Sequence, residues 1–272
     1  MTHDLSEGQK VIDAKNHYRR MVQVSVQQRS MPHIKKAYEI VRSGGIGKIH
    51  LTWNRNNASL NKRNRPSVPP GSVDWKMFLG SARTQPFDAY RFRNWRWFWD
   101  FGGGVLTDLM VHFIDVANWY CGLEYPASAV TVGDHFAMRG IWEVPDTIQT
   151  LLHYPDQHAQ VHFEGIFVSA RNGAMIEFMG TEGTLYLDRG RYELHPELGK
   201  TTYQEWTLDD ARRGADFYGK VDGALLHLTD WVKAVRSRKK PSTPAEAGVI
   251  AAASAHLGNQ AYRTGETARW RR

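Results

Sequence analysis

Between residues 127 and 208 apolar and polar side chains alternate with a period of two. Val161 and Phe163 oppose His162 and Glu164, and Ile176 and Phe178 oppose Glu177. That period sends successive side chains to opposite faces, so the segment folds as strands with one face buried. Turn signals at Pro155-Asp156 and Gly180-Thr-Glu-Gly183 cut it into hairpins, which makes the sheet largely antiparallel. Helical periodicity flanks the block. Ahead of it lie residues 6–17, with Ser6 as cap, and residues 32–43, with Pro32 in the first turn and Gly44-Gly45 as the stop. After it come residues 223–238, stopped by Pro241, and 245–263, stopped by Gly265, the usual punctuation of helix ends. Residues 20–27 and 48–55 alternate and are expected as strands. Residues 56–71 carry three prolines and read as a long loop, and residues 74–79 as a short helical turn. Strands in one block with helices at either end specify an α+β fold: an open, mainly antiparallel sheet with helices on one face.

Bulk properties exclude several classes. With 272 residues, 42% of them hydrophobic, the chain can support a sizeable core, and its 10 Trp must line a core, a pocket or an interface. No apolar run reaches the ~20 residues of a membrane span. The start, MTHDLSEGQK, lacks the apolar segment of a secretory signal, so a cytoplasmic location is the default expectation. A single cysteine, Cys121, excludes an internal disulfide framework and a multi-thiolate metal site. The net charge of +7 gathers at Lys62, Arg63 and Arg65, at Arg91, Arg93 and Arg96, and at residues 236–240. No nucleic-acid motif accompanies these runs. They read as a positive cleft for an anionic cofactor or substrate, plus solvated arginines, and no nucleic-acid partner is expected.

The chemistry concentrates in residues 94–120. Gly102, Gly103 and Gly104 precede a helix that ends near Cys121-Gly122. At 100° per residue, Leu106, Leu109, Met110, Phe113, Ala117 and Tyr120 share an apolar face, and Asp108, His112, Asp115 and Trp119 form a stripe opposite it. An imidazole titrates near neutrality and can take a proton from a hydroxyl and return it. Asp108 lies in the first turn, where the helix dipole favours the carboxylate. The same spacing also suits a hydrogen-bonded polar face. Trp95, Trp97 and Trp99 either stack on sugar rings or anchor a core. Gly103 and Gly104 permit close backbone approach to a ligand, or simple loop freedom. Arg29, just ahead of the helix at Pro32, suits an anion or neighbours a cap. A metal held by Asp108, His112 and Asp115, with His135 or His153, would want a second spaced ligand pair that the sequence lacks, so none is expected. The three glycines do not have the G-x-G-x-x-G spacing of a dinucleotide fingerprint.

In this order the elements resemble the Gfo/Idh/MocA family of NAD(P)-dependent oxidoreductases. The resemblance rests on Val26-Gln-Gln-Arg-Ser30 followed by Pro32, and on Gly44-Gly-Ile-Gly47-Lys48 leading into a strand. It continues through Asp74-Trp75 to Leu79-Gly80 and Trp97-Phe-Trp-Asp-Phe-Gly-Gly-Gly104 to the helix Thr107-Asp108-x3-His112-x2-Asp115, its most specific element. Gly180-Thr-Glu-Gly183-Thr-Leu and His256-Leu-Gly-Asn259 complete it. It implies a sugar, polyol or related hydroxyl substrate, with NAD or NADP carrying the hydride. His112 is then the proton donor and acceptor, and Asp108 its orienting partner. Trp95, Trp97, Trp99, Arg29, Gly103, Gly104 and Asp115 line the substrate, and Gln28 and Arg29 touch the cofactor. The sheet's outer face implies a homo-oligomer.

The family begins with a glycine-rich turn and a Glu-Lys-Pro motif, and neither occurs here. Residues 1–30 accordingly match the end of a dinucleotide-binding domain and residues 31–272 the substrate-binding, catalytic domain. The Rossmann half is expected upstream or on a separate chain, and Val22, Val24 and Val26 are expected to be partly uncovered. Two other outcomes fit the resemblance: a carbohydrate-binding or dimerisation module without turnover, and an NAD-dependent glycoside hydrolase of similar fold.

Overall fold

A computed structural model of the chain describes residues 2–66, 73–171, 173–197, 202–207 and 222–270. The order of elements is α1 (Glu7–His17), α2 (Pro32–Arg42), β1 (Ile49–Asn57), α3 (Leu60–Arg63), α4 (Trp75–Leu79), α5 (Ala89–Arg93), α6 (Val111–Cys121) and β2 (Ser128–Asp134). There follow β3 (Thr147–Tyr154), β4 (Ala159–Ile166), β5 (Ala174–Gly180), β6 (Gly183–Asp188), β7 (Arg191–Pro196) and β8 (Gln204–Thr207). Helices α7 (Gly223–Ser237) and α8 (Ala245–Thr264) and the short β9 (Ala268–Arg269) close the described chain. Residues 67–71 of the expected loop, and Leu208 at the end of the expected hairpin block, lie outside the described residues.

The described strands form one open sheet in the order β8-β7-β6-β5-β1-β4-β3-β2-β9. All neighbours run antiparallel except β1 and β4. The two hairpin runs, β2 to β4 and β5 to β8, follow from the period-two block. β1 joins them from far upstream, setting Trp53 opposite His162 and Glu177. Helix α2 packs on β6 and β7, α6 on β1, and α8 on β2 and β3. Thus one face is covered and the other stays open, with Val130, Val132 and Leu151 exposed on it.

The six apolar residues of the motif helix are all buried, each worth about 1.5–3 kcal/mol for a large side chain. The Tyr120 hydroxyl donates to the Ile34 carbonyl, tying this helix to α2. Three expectations change. The motif helix opens as a π-helical turn over Leu106–Met110 before α6 begins. Ser6 makes no side-chain cap; instead Asp4 Oδ1 accepts from the Ser6 N–H at 2.7 Å and from its hydroxyl at 2.6 Å. Residues 20–27 form no strand. Gln23 makes a lone bridge to Pro244, the Val24 N–H donates to Thr243 at 2.8 Å, and the chain then enters a 3-10 turn at Gln27–Ser30. Pro244 has no N–H to donate, so the pairing cannot extend there. Val22 and Val24 remain half-buried, whereas Val26 is buried.

Candidate active site

The predicted polar stripe does not stay together. In a π turn each residue advances the helix less than 100°, which narrows the angle between Asp108 and His112 and widens that between Asp108 and Asp115. Asp108 accepts from Arg96 Nε at 2.7 Å and lies 3.9 Å from Arg63 Nη1. Asp115 is fully buried and meets Arg29 through two bonds of 2.7 Å. The Arg29 guanidinium also sits 5.2 Å from the Trp119 ring centre. Asp115 and Arg29 therefore satisfy one another inside the protein and do not face a ligand. Burial pushes the Asp115 carboxyl up to about 6, with Arg29 opposing the shift.

His112 lies between these two carboxylates in sequence and is half-buried. Its Nδ1 is buried without a hydrogen-bond partner. Burial pushes the imidazole down to about 4, the positive charge of Arg189 adds to the shift, Asp108 opposes it and Arg63 adds a smaller push. The group is therefore neutral at pH 7 and able to accept a proton.

The tryptophans divide. Trp97 is core: its ring stacks on Trp142 at 4.6 Å and its Nε1 donates to the Arg63 carbonyl at 2.9 Å. Trp95 is half-buried, with the Arg96 guanidinium 4.3 Å from its ring centre. Trp99 lines a cavity of about 640 Å³ with His3, Gly102, Gly103, His256, Asn259 and Arg263, and of the three it is the one placed to stack on a ring. Gly103 donates to Thr107 Oγ1 at 2.9 Å and accepts from Asn259 Nδ2 at 2.8 Å. A Cβ there would stand 2.5 Å from Asn259 Nδ2. Gly104 has φ of +65° and would press on Val144 at 2.8 Å. These two glycines are thus required by close internal packing, although Gly103 also borders the Trp99 cavity.

Sequence reasoning missed Arg63, Asn94 and Arg189. The charge runs containing Arg63 and Arg96 were visible, but nothing in their spacing brings them to Asp108. Among the described residues no three His, Cys, Asp or Glu side chains group as metal ligands, and no helix is long and apolar enough to cross a membrane.

Against this geometry the comparisons can be set. The C-terminal alpha/beta domain of the Gfo/Idh/MocA oxidoreductase family matches residues 72–269. The chain belongs to the Gfo/Idh/MocA oxidoreductase family. No match was found among curated proteins. An NAD binding oxidoreductase from Klebsiella pneumoniae superposes with a TM-score of 0.74 at 17% identity, over 100% of this chain and 72% of its own. The aldose-aldose oxidoreductase from Caulobacter crescentus, complexed with glycerol, gives 0.68 at 16% identity, over 99% and 70%. The WlbA dehydrogenase from Bordetella pertussis, in complex with NADH and UDP-GlcNAcA, gives 0.67 at 16% identity, over 100% and 70%. At such identities they establish the shared fold.

The Gfo/Idh/MocA assignment implies a dinucleotide, whose pyrophosphate needs a glycine-rich turn between a parallel strand and a helix N-terminus. In the parallel pair of the described strands, β1 leads into the four-residue α3 through Ala58-Ser59, without a glycine, and β4 leads to β5, a strand and not a helix, with Gly173 directly before β5. Gln28 is buried, and Arg29 is committed to Asp115. The described residues therefore do not fit a pyrophosphate, and the two expected cofactor contacts point inward.

Proposed function

We propose that this chain is the substrate-side, proton-transferring portion of an NAD(P)-dependent oxidoreductase acting on a hydroxyl of a sugar, polyol or related compound. The observation that carries this reading is the His112 imidazole, whose Nδ1 is buried without a hydrogen-bond partner, one turn from the arginine-bound Asp108. In oxidation the substrate hydroxyl gives its proton to the imidazole. Asp108 bonds Arg96, so its part is electrostatic: it stabilises the imidazolium as it forms. Trp99 offers a ring face for a sugar at its cavity. A nicotinamide, when bound, accepts the hydride. Its binding domain is assigned outside these residues, on an upstream segment or a separate Rossmann chain, and the upstream reading frame decides between the two. The ligands named for the Caulobacter and Bordetella structures, glycerol, NADH and UDP-GlcNAcA, support the substrate and cofactor classes. The exposed Val130, Val132, Phe136 and Leu151 on and beside the open sheet face support pairing with a second copy.

The test is turnover of the chain together with its nucleotide-binding half, using NAD(P)+ and a panel of sugars and polyols. His112→Ala should lower kcat by about 10²–10⁴-fold, and the acid limb of the wild-type profile should fall near pH 4. Unchanged turnover in the variant removes His112 from the chemistry. Saturable sugar binding without any turnover would leave a binding or assembly module.

A further inference from the structure

We propose that the small cavity lined by Arg63, Arg65, Arg93, Arg96 and Asp108 is an oxyanion subsite, which holds the carboxylate or phosphate group of an anionic substrate near His112. This rests on the reading of His112 as the acid/base and names the substrate class.

Charge is the first reason. Four arginines and one carboxylate line this cavity, with Asn94 and Trp97 completing it; Arg63 and Arg96 reach Asp108, and Arg65 and Arg93 stand at exposed positions. Among the described lining residues the positive charges thus outnumber the negative. Asp108 takes one close bond from Arg96, at 2.7 Å, and a looser contact from Arg63, at 3.9 Å. Arg91, in the same charge run, behaves differently: Glu143 at 2.7 Å and Asp100 at 2.9 Å offset it outside the cavity. Like charges crowded together are costly without a counter-ion. Arg63 registers this. Burial lowers its pKa, Asp108 opposes, and Arg189, Arg96 and Arg65 lower it further. An incoming oxyanion relieves that repulsion and offers the acceptors that guanidinium forks suit best.

Construction is the second reason. The two arginines from the β1 side are fixed through their backbones. Buried Asn94 accepts the Arg65 N–H through Oδ1 at 2.8 Å and donates to the Arg65 carbonyl through Nδ2 at 2.8 Å. Buried Trp97 donates to the Arg63 carbonyl at 2.9 Å. The Arg63 guanidinium lies 5.0 Å from the Phe167 ring centre, and its Nε is buried without a hydrogen-bond partner. Holding the groups in place beforehand reduces the ordering cost of binding.

Size is the third. The cavity is about 90 Å³, room for roughly three waters at ~30 Å³ each. That accommodates one oxyanion head and leaves the remainder of the substrate outside.

The test is calorimetric titration of the full chain with a matched three-carbon set: glycerate, glycerol phosphate and glycerol. One or both anions should bind at least ~10-fold more tightly than glycerol, a difference of about 1.4 kcal/mol. The anion that gains separates carboxylate from phosphate. The preference should shrink as salt rises. Arg65→Gln, at an exposed position, and Arg96→Gln should each weaken anion binding about tenfold with little change in melting temperature. Equal affinity for all three compounds, absence of binding, or anion binding unchanged in the double variant overturns the subsite. The two readings fail separately. Anion preference retained in His112→Ala, in an enzyme whose turnover ignores that change, keeps the subsite and removes the acid/base. Turnover lost in His112→Ala with no anion preference does the reverse.

Discussion

Asp115 has no access to solvent, and its charge persists because Arg29 presents a two-pronged donor to it. Removing the guanidinium would strand a carboxylate that burial already pushes to about 6 with its partner present. Arg29→Ala should therefore cost about 3–5 kcal/mol of unfolding free energy, read by urea denaturation at pH 7. A loss below about 1 kcal/mol would mean that the isolated carboxyl simply takes up a proton, as strongly desolvated acids do. Arg29→Lys should retain the charge and lose the paired geometry, falling between the two. That Arg29 and Asp115 pair with one another was not legible, for a residue-level reason. A carboxylate and an arginine that are 86 positions apart carry no sequence signal that they will neutralise one another. His112 could be singled out from the sequence, because the chemistry of an imidazole does not depend on a distant partner. Its lowered pKa could not, since that requires knowing what covers the ring.

At the scale of elements, the Gly-Gly-Gly segment is a packing junction. Gly104→Ala would place a methyl 2.8 Å from the Val144 side chain at φ +65°. Backbone strain and overpacking each cost about 1–3 kcal/mol. The variant should melt lower with secondary structure retained, as followed by circular dichroism; an unchanged melting temperature would show that Val144 yields freely. Helix ends were readable because their chemistry is local. Pro32 starts α2, and Gly122 and Gly265 close α6 and α8 in left-handed conformations. The apolar face of the motif helix was readable for the same reason. The ion pairs of Asp108 were not, because Arg96 and Arg63 reach it from other segments, and a fixed 100° step does not foresee the widened turn at Leu106–Met110. Nor was the non-strand at residues 20–27, where alternation promised an element that also needs a pairing partner.

Across the whole molecule, the period-two block announced an open sheet but not its order. Hairpin neighbours follow from turn signals, whereas a strand arriving from elsewhere leaves no local mark. The same openness motivates the proposed pairing of two copies. Val132→Lys with Leu151→Lys introduces charge at two exposed sheet-face positions, and like charges facing across a two-fold contact repel. Sedimentation should then move from dimer to monomer; a state unaltered by the double variant removes this face from the contact.

The position of β1 bears on how the protein is made. Both of its neighbours, β4 and β5, begin roughly 100 residues after β1 ends. A ribosome adding about 5–20 residues per second leaves the emerging β1 waiting for some seconds with both edges bare. The two hairpin meanders are built of near neighbours and can assemble as they emerge, but they fuse into one sheet only when β1 slots between them. Chaperone demand during synthesis should accordingly concentrate on this early strand, well before the helix bearing His112 has anything to rest upon.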